Sequence, residues 1–374
     1  MNEKKILLSL TVTSMIVAGA VFAINGGLNS SSAFATNGEV WHHYAAVAPT
    51  ETTHGSKEFW ASSTDGCATH TFTDPGVTCV NHVFSTYDSF AALTCDDDRY
   101  VPSGNESLGI TPMFSAKNKT VTYGLYPQKN VNDSSLVSAL NALKTPESNG
   151  WYLYEKEYYA KVSAWSYDTS YVFDNGTTIV RGTTYWFKCE PITWNVLSNN
   201  YILSSVLLDA HRYNENYSGT KDGHYANNYE YSEIRAWLNN DFYNSAFALG
   251  NSHIQTTTVN NRASTTNSKY NSYACANTED KVFLPSYQDY INDSYGFSTS
   301  TSSNNTRYCR TTDWARARRA WSSTGSYNGH YWTRSPRSDH DYSAWYVRYD
   351  GYLDVNHRYV EERYVSVRPA IKIA

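Results

Sequence analysis

Apolar residues are distributed along this chain in two kinds of pattern. Residues 6–24 form an almost unbroken run of apolar and small side chains behind Lys4 and Lys5, with Ala33-Phe34-Ala35 downstream. A positive start, an apolar stretch and a small-x-small site predict an export signal over 1–35, cleaved before Thr36. The alternative is an uncleaved anchor, since a run of this length can just span a bilayer of about 30 Å. Ser9, Thr11, Thr13, Ser14 and Gly19 weaken a permanent span. Beyond the signal the apolar residues come in short groups. Alternation over 120–126 predicts a strand that Pro127 ends. Further strands are expected at 158–165, 185–189, 192–197 and 201–207, and near the end at 331–334, 344–348, 352–355 and 365–373. Helical spacing occurs behind Asp133 (Leu136, Ala139, Leu140, Leu143) and behind Ser232 (Ile234, Trp237, Leu238, Phe242), with both leading residues suited to cap a helix. Ser286-Tyr287-Gln288-Asp289 has the form of a capping box with Asp in place of Glu, and 313–321 is a fourth helix candidate. Segments 213–230, 262–279 and 298–306 are rich in Asn, Ser, Thr and Tyr and are expected as loops. Residues 36–112 have few apolar positions and many Gly, Thr, Asp and Pro, which predicts a small module of short strands and turns.

Composition narrows the class. Apolar residues make up 41% of the 374 residues, enough for a core, while charged residues are only 17%, below the roughly 25% of ordinary soluble domains. A net charge of −5 leaves no basic footprint for nucleic acid. A mean hydropathy of −0.55 excludes a polytopic membrane protein. With 33 tyrosines and few lysines, the polar surface is built of neutral side chains, as expected of a secreted or cell-surface, extracytoplasmic protein.

Export permits disulfides. The six cysteines are Cys67, Cys79, Cys95, Cys189, Cys275 and Cys309, and their pairing stays open. His42, His43, His54, His70 and His82 share the first part of the chain with three of them, but no C-x₂-C spacing supports a zinc site. No metal or cofactor is expected. No G-x-S-x-G elbow, H-E-x-x-H helix or phosphate-cradling Gly loop is present. Asp339, His340 and Asp341 stand near Ser335 and Ser338, but adjacency in a loop does not orient a nucleophile and a base, so no catalytic residue is assigned. Arg307, Arg310, Arg316, Arg318 and Arg319 read as a solvated helix face, or as a basic patch for anionic glycans or wall polymers.

The most informative stretch is 337–364. Ala344, Trp345, Val347, Gly351, Leu353, Val360, Val365 and Val367 look like scaffold. Between them stand Tyr346, Arg348, Tyr349, Asp350, Tyr352, Asp354, Val355, Asn356, His357, Arg358, Tyr359, Glu361, Glu362, Arg363 and Tyr364. Alternation along strands would expose this second set. Tyr supplies large contact area at low entropic cost and Arg anchors hot spots. The expected ligand-binding residues are therefore Tyr346, Arg348, Tyr349, Asp350, Tyr352, Asp354, Asn356, His357, Arg358, Tyr359, Arg363 and Tyr364, with Arg337, Asp339, His340 and Tyr342 beside them.

A chain of short signatures carries a resemblance. In order they are Tyr123-Gly124-Leu125-Tyr126-Pro127-Gln128, Pro191 to Leu197, Ser232 to Asn239, Asp280 to Ser286, Tyr331-Trp332-Thr333-Arg334-Ser335-Pro336 and Val367-Arg368-Pro369-Ala370. They resemble an uncharacterised domain family of bacterial surface proteins over about 120–374. The last stretch looks like the C-type-lectin-like fold of formylglycine-generating enzymes and retroelement-diversified receptors, with Ser366 where Gly is usual. The resemblance implies an α+β, lectin-like domain over 115–374, with irregular short strands and a few helices. It also implies that 346–364 is similar to a region varied by adenine-directed mutagenesis of Asn codons, which fits every position of the interleaved set except Glu361 and Glu362. Glu190-Pro191-Ile192 and Trp194-Asn195-Val196 lack ligands of the usual calcium sites, so calcium-dependent sugar binding is not implied. The expected function is binding a protein or glycan on a host or neighbouring bacterium, with membrane contact only through an uncleaved anchor. Two alternatives stand beside it: an enzyme of the formylglycine-generating type or a wall-active hydrolase, and a self-assembling structural surface protein.

Overall fold

A computed structural model describes residues 119–374 except 199, 216–219, 222, 268–274, 338–339, 355–357 and 374, together with 40–44, 59–63, 69–71, 78–80, 109 and 112–115. The expected signal over 1–35 lies outside these residues. The chain divides into two compact units, residues 1–123 and 124–373. In the first, Val40–Tyr44 pairs antiparallel with Phe59–Ser63, Thr69–Thr71 with Thr78–Val80, and Met113–Ser115 with residues 120–122.

In the second unit, sheets predominate over a few short helices, a mixed α+β architecture. One sheet is built around the 15-residue strand Thr184–Ser198. Glu157–Ser163 and Tyr201–Ser204 pair with it, and Ala370–Lys372 and Val282–Phe283 extend it. The second sheet runs in the order Asp209–Ala210, Ser366–Val367, Tyr331–Pro336, Ala344–Val347, Leu353–Asp354. A shared apolar cluster includes Leu203, Phe283 and Ala370 from the first sheet and Tyr331, Trp345 and Val347 from the second. Burying a large apolar side chain in such a cluster contributes roughly 1.5–3 kcal/mol, and this core fixes the inner strands Tyr331–Pro336 and Ala344–Val347 of the second sheet.

Local chemistry explains where the helices start. Asp133 accepts the backbone N–H groups of Ser135 and Leu136 at 2.9 and 2.8 Å and starts Ser134–Ala142. Leu140 then packs with Tyr152, Tyr159 and Trp186. Ser232 caps Glu233–Trp237, which continues through a π turn, Leu238–Phe242, into Tyr243–Ala246. The capping box at Ser286 forms in both directions: Ser286 N–H donates to Asp289 at 2.7 Å and Asp289 N–H to Ser286 Oγ at 3.1 Å. It leads only to a 3₁₀ turn, Asp289–Ile291. The helix expected over 313–321 stops at Ala317.

Two prolines overturn strand ends expected from local rules. Thr120–Asn130 continues through Pro127, and Thr184–Ser198 runs through Pro191 and joins two expected strands into one. A strand proline needs only an unpaired N–H side, and the Met113–Ser115 register ends at Thr122. Conversely, the strand expected over 365–373 breaks at Arg368-Pro369 into Ser366–Val367 and Ala370–Lys372, one for each sheet. Among the described residues, no helix is long and apolar enough to cross a membrane.

Candidate recognition surface

The second sheet ends in a turn that presents several of the expected contact residues. Arg348 N–H donates to the Tyr352 carbonyl at 2.9 Å, and Gly351 N–H to the Arg348 carbonyl at 2.8 Å. Gly351 sits at φ +74°, and a Cβ there would overlap the Asn304 carbonyl, so only glycine fits. Behind the turn Arg307 is fully buried. Its guanidinium donates to the carbonyls of Gly351 (2.6 Å), Tyr290 (3.1 Å), Ser298 (2.9 Å), Ser300 (2.7 Å) and Ser302 (2.7 Å). One side chain thus uses the whole donor fork of an arginine to hold the 298–302 segment against the turn.

On this support Tyr349 is exposed and Arg348, Asp350 and Tyr352 are half-buried. Arg348 pairs with Asp350 at 2.9 Å, approaches Asp354 at 3.8 Å, and lies 5.3 Å over the Tyr352 ring. Beneath Tyr349, His330 is buried and stacks on Trp321 at 4.2 Å. Its Nδ1 accepts the Tyr349 N–H at 3.3 Å. Burial, reinforced by Arg358 and Arg348, pushes the His330 pKa down to about 3. The ring is therefore a neutral acceptor that fixes the Tyr349 backbone. His330 carried no signal in the sequence, and Trp321 read only as a core candidate; both act through the turn they support.

Two expected contact residues are not exposed. Tyr346 is 2% and Asp354 8% accessible, and the Tyr346 hydroxyl donates to Asp354 at 3.0 Å. Alternation fails here because Ala344–Val347 is flanked by strands on both edges and covered on both faces, so all four of its residues are buried. Tyr346 lies against His330 at 5.7 Å and under the Arg358 guanidinium at 4.9 Å.

A second group adjoins the sheet. His340 stacks on Tyr342 at 5.0 Å, and Tyr342 meets Tyr359 at 5.4 Å. Arg358 donates to the Tyr364 hydroxyl at 3.3 Å and faces Glu362 at 3.7 Å, while Tyr364 packs on Tyr167 at 5.0 Å. Arg363 is exposed and Arg337 half-buried. Asn227, fully buried, donates to the carbonyls of Arg337, His340 and Ser343 at 2.7, 3.0 and 2.9 Å and anchors this loop. Asp339, Asn356 and His357 lie outside the described residues. The structure therefore gathers Arg348, Tyr349, Asp350 and Tyr352 at the turn, and His340, Tyr342, Arg358, Tyr359 and Tyr364 beside the sheet.

The expected solvated arginine face is overturned in part. Arg307 and Arg316 are fully buried, and Arg316 bonds Asp313 and Asp174. Arg310 stays exposed, and Arg318 and Arg319 are half-buried. Ser335 and the described cysteines make contacts of their own. Ser335 is buried, accepting the Tyr287 N–H at 2.9 Å and donating to the Thr265 carbonyl at 3.2 Å. Cys189, Cys275 and Cys309 are free thiols, and burial raises the pKa of all three, Cys309 to about 11. A reactive thiol needs the opposite shift. The side chains of Cys67, Cys79 and Cys95 and of the N-terminal histidines lie outside the described set. Among the described residues, no group of three or more His, Cys, Asp or Glu is placed to hold a metal ion.

The short signatures prove to be mutual supports. Arg334 donates to the Leu284 carbonyl at 2.8 Å and to Asp289 at 2.9 Å. Asn239 donates to the Val282 carbonyl at 2.9 Å, and Arg235 pairs with buried Asp280 at 2.7 Å. Arg368 donates to the Ser204 carbonyl at 2.9 Å and to the Tyr331 hydroxyl at 3.2 Å. Comparison with known proteins covers the later part of this framework: residues 195–374 match a family model described as a domain of unknown function, DUF6273, and the signature at 123–128 lies outside the match. No curated protein and no solved structure matches the chain.

Proposed function

We propose that the chain is a non-enzymatic binding protein, secreted or held at a bacterial cell surface, that recognises a protein or glycan through the face formed by 340–364. The observation that carries this reading is the turn at 348–352. It is over-determined by Arg307, Gly351 and His330, while the side chain of Tyr349 is exposed and those of Arg348 and Tyr352 are half-exposed. Rigid aromatic and guanidinium groups on a fixed turn lose little entropy on binding. The short strands and long connections are in keeping with a C-type-lectin-like fold. The reading of 346–364 as retroelement-diversified then concerns outward positions such as Tyr349, Tyr352 and Arg363, because the Tyr346–Asp354 pair is buried and mutually dependent.

A panel of bacterial and host surface glycans and proteins, probed with the full chain, tests the reading. At least one should be retained, and Tyr349→Ser with Tyr352→Ser should abolish that binding at an unchanged melting temperature. Retention by the double variant at wild-type affinity would remove this face from the function.

A further inference from the structure

Elsewhere in residues 124–373 a cavity of about 360 Å³ opens beside Trp165. Its wall includes His211, Arg212, Arg318, Arg319 and Arg363, with Glu233 as its carboxylate. Two of these arginines are already neutralised: Arg212 by Glu233 at 2.7 Å, and Arg318 by Asp209 at 2.7 Å. Among the described residues, no carboxylate pairs with Arg319 or Arg363. The Arg319 guanidinium lies 5.2 Å over the Trp165 ring and that of Arg181 5.7 Å over the same ring. Burial first, then the charges of Arg363 and Arg181, makes the charged form of Arg319 less favourable. Arg319 also sits at φ +87°, a backbone region that a side-chain-bearing residue rarely adopts.

In a chain of net charge −5, converging unpaired guanidiniums are a local arrangement and not a general basic surface. They repel one another until an anion enters, and an anion accepting from two of them gains charge-assisted hydrogen bonds. The rest of the wall suits a hydroxylated ligand. His211 Nδ1 lies 2.7 Å from the Arg212 carbonyl and its Nε2 3.8 Å from Glu233 Oε1, so the ring is held in place by other groups of the wall. Trp165 is 51% exposed and offers an apolar surface with an N–H donor. The volume is near the lower end of the roughly 300–1,000 Å³ of small-molecule sites, which fits one sugar residue better than a folded partner.

We propose that this cavity binds a single anionic saccharide unit, its carboxylate or sulfate held between Arg319 and Arg363 beside Trp165. The site is separate from the turn at 348–352 but shares Arg363 with the 340–364 face, so Arg319→Gln, which alters the cavity alone, and Tyr349→Ser, which alters the turn alone, tell the two apart.

Titration calorimetry of the full chain with a sulfated disaccharide, a uronic-acid disaccharide and a neutral disaccharide, at physiological ionic strength, distinguishes the two acid groups. One charged sugar should bind and the neutral one should not. Arg319→Gln and Arg363→Gln should each weaken binding by about tenfold or more. Tyr349→Ser and Arg262→Gln, the latter removing an exposed charge outside the cavity wall, should leave it unchanged. Arg363 is exposed, so its variant reads out binding even where the Arg319 variant perturbs the backbone. Absence of binding by both charged sugars, equal binding of the neutral one, or an equal loss in Arg262→Gln would overturn the assignment.

Discussion

Two populations of arginine divide this protein. Arg307, Arg316, Arg334 and Arg368 are buried, and each spends at least one donor on a carbonyl or carboxylate of a distant segment. Arg348, Arg358 and Arg363 lie a few residues from one another in the sequence and reach solvent. The two ion pairs Arg316–Asp313 and Arg348–Asp350 make the contrast sharp. Each joins an arginine to an aspartate within three residues, but the first pair is 0% and 2% accessible and the second 35% and 22%. The same chemistry serves as internal scaffolding in one place and as a presented surface in the other. Burial sets the role, because water screens the second pair and not the first.

The largest expected effect lies in the scaffold. Removing one member of a buried pair leaves an uncompensated charge and costs about 3–5 kcal/mol. Asp313 would keep the Asn130 and Asp174 N–H groups at 2.9 and 2.8 Å but lose its cation. Arg316→Leu should therefore lower the unfolding free energy in urea by that amount. A loss below about 1 kcal/mol would erase the distinction between the two populations.

The division between these populations was only partly legible in the sequence. Helix starts were, because a cap is local: Asp133 and Ser232 reach N–H groups two or three residues ahead. The Ser286–Asp289 box was legible too, but not its short outcome. The Asp289 carboxylate is also taken by Arg334 from 45 residues away, which ties this turn into the core. Arginine burial could not be read at all, since the five carbonyls around Arg307 come from residues 290–302 and 351. The face proposed at 346–364 was read from composition, which detects residue types. Its error at Tyr346 and Asp354 came from treating an inner strand as though one of its faces met water. Pro127 and Pro191 misled for a similar reason: the cost of a strand proline depends on the neighbouring strand, which lies elsewhere in the chain.

A second prediction uses His330, a buried group beside the outer arginines. His330 titrates near 3 in the folded protein and near 6.5 when unfolded. Between those values the unfolded chain binds the extra proton, so stability is full above about pH 6.5 and declines as pH falls toward 3. Each unit of displacement corresponds to about 1.4 kcal/mol. Urea unfolding over this range should show the decline in the wild type and a flatter profile in His330→Phe. Parallel profiles would mean that the imidazole is not held neutral beneath Tyr349.

The smallest expected effect completes the contrast. Arg348 has an ion-pair geometry as good as that of many buried arginines, 2.9 Å from Asp350, and its guanidinium covers the Tyr352 ring. Yet its side chain is a third exposed, and water can solvate Asp350 once the guanidinium is gone. The Ser303 hydroxyl at 2.8 Å and the Tyr352 N–H at 3.3 Å remain as donors to that carboxylate. The turn itself is held by Arg307, Gly351 and the Tyr349–His330 hydrogen bond, none of which uses the Arg348 side chain. Exposed pairs contribute about 0–1 kcal/mol, so Arg348→Ser should shift the urea midpoint by no more than that while removing a binding contact. A loss comparable to that of Arg316→Leu would show that Arg348 belongs with the scaffold, and that the face proposed for recognition is instead part of what holds the sheet together.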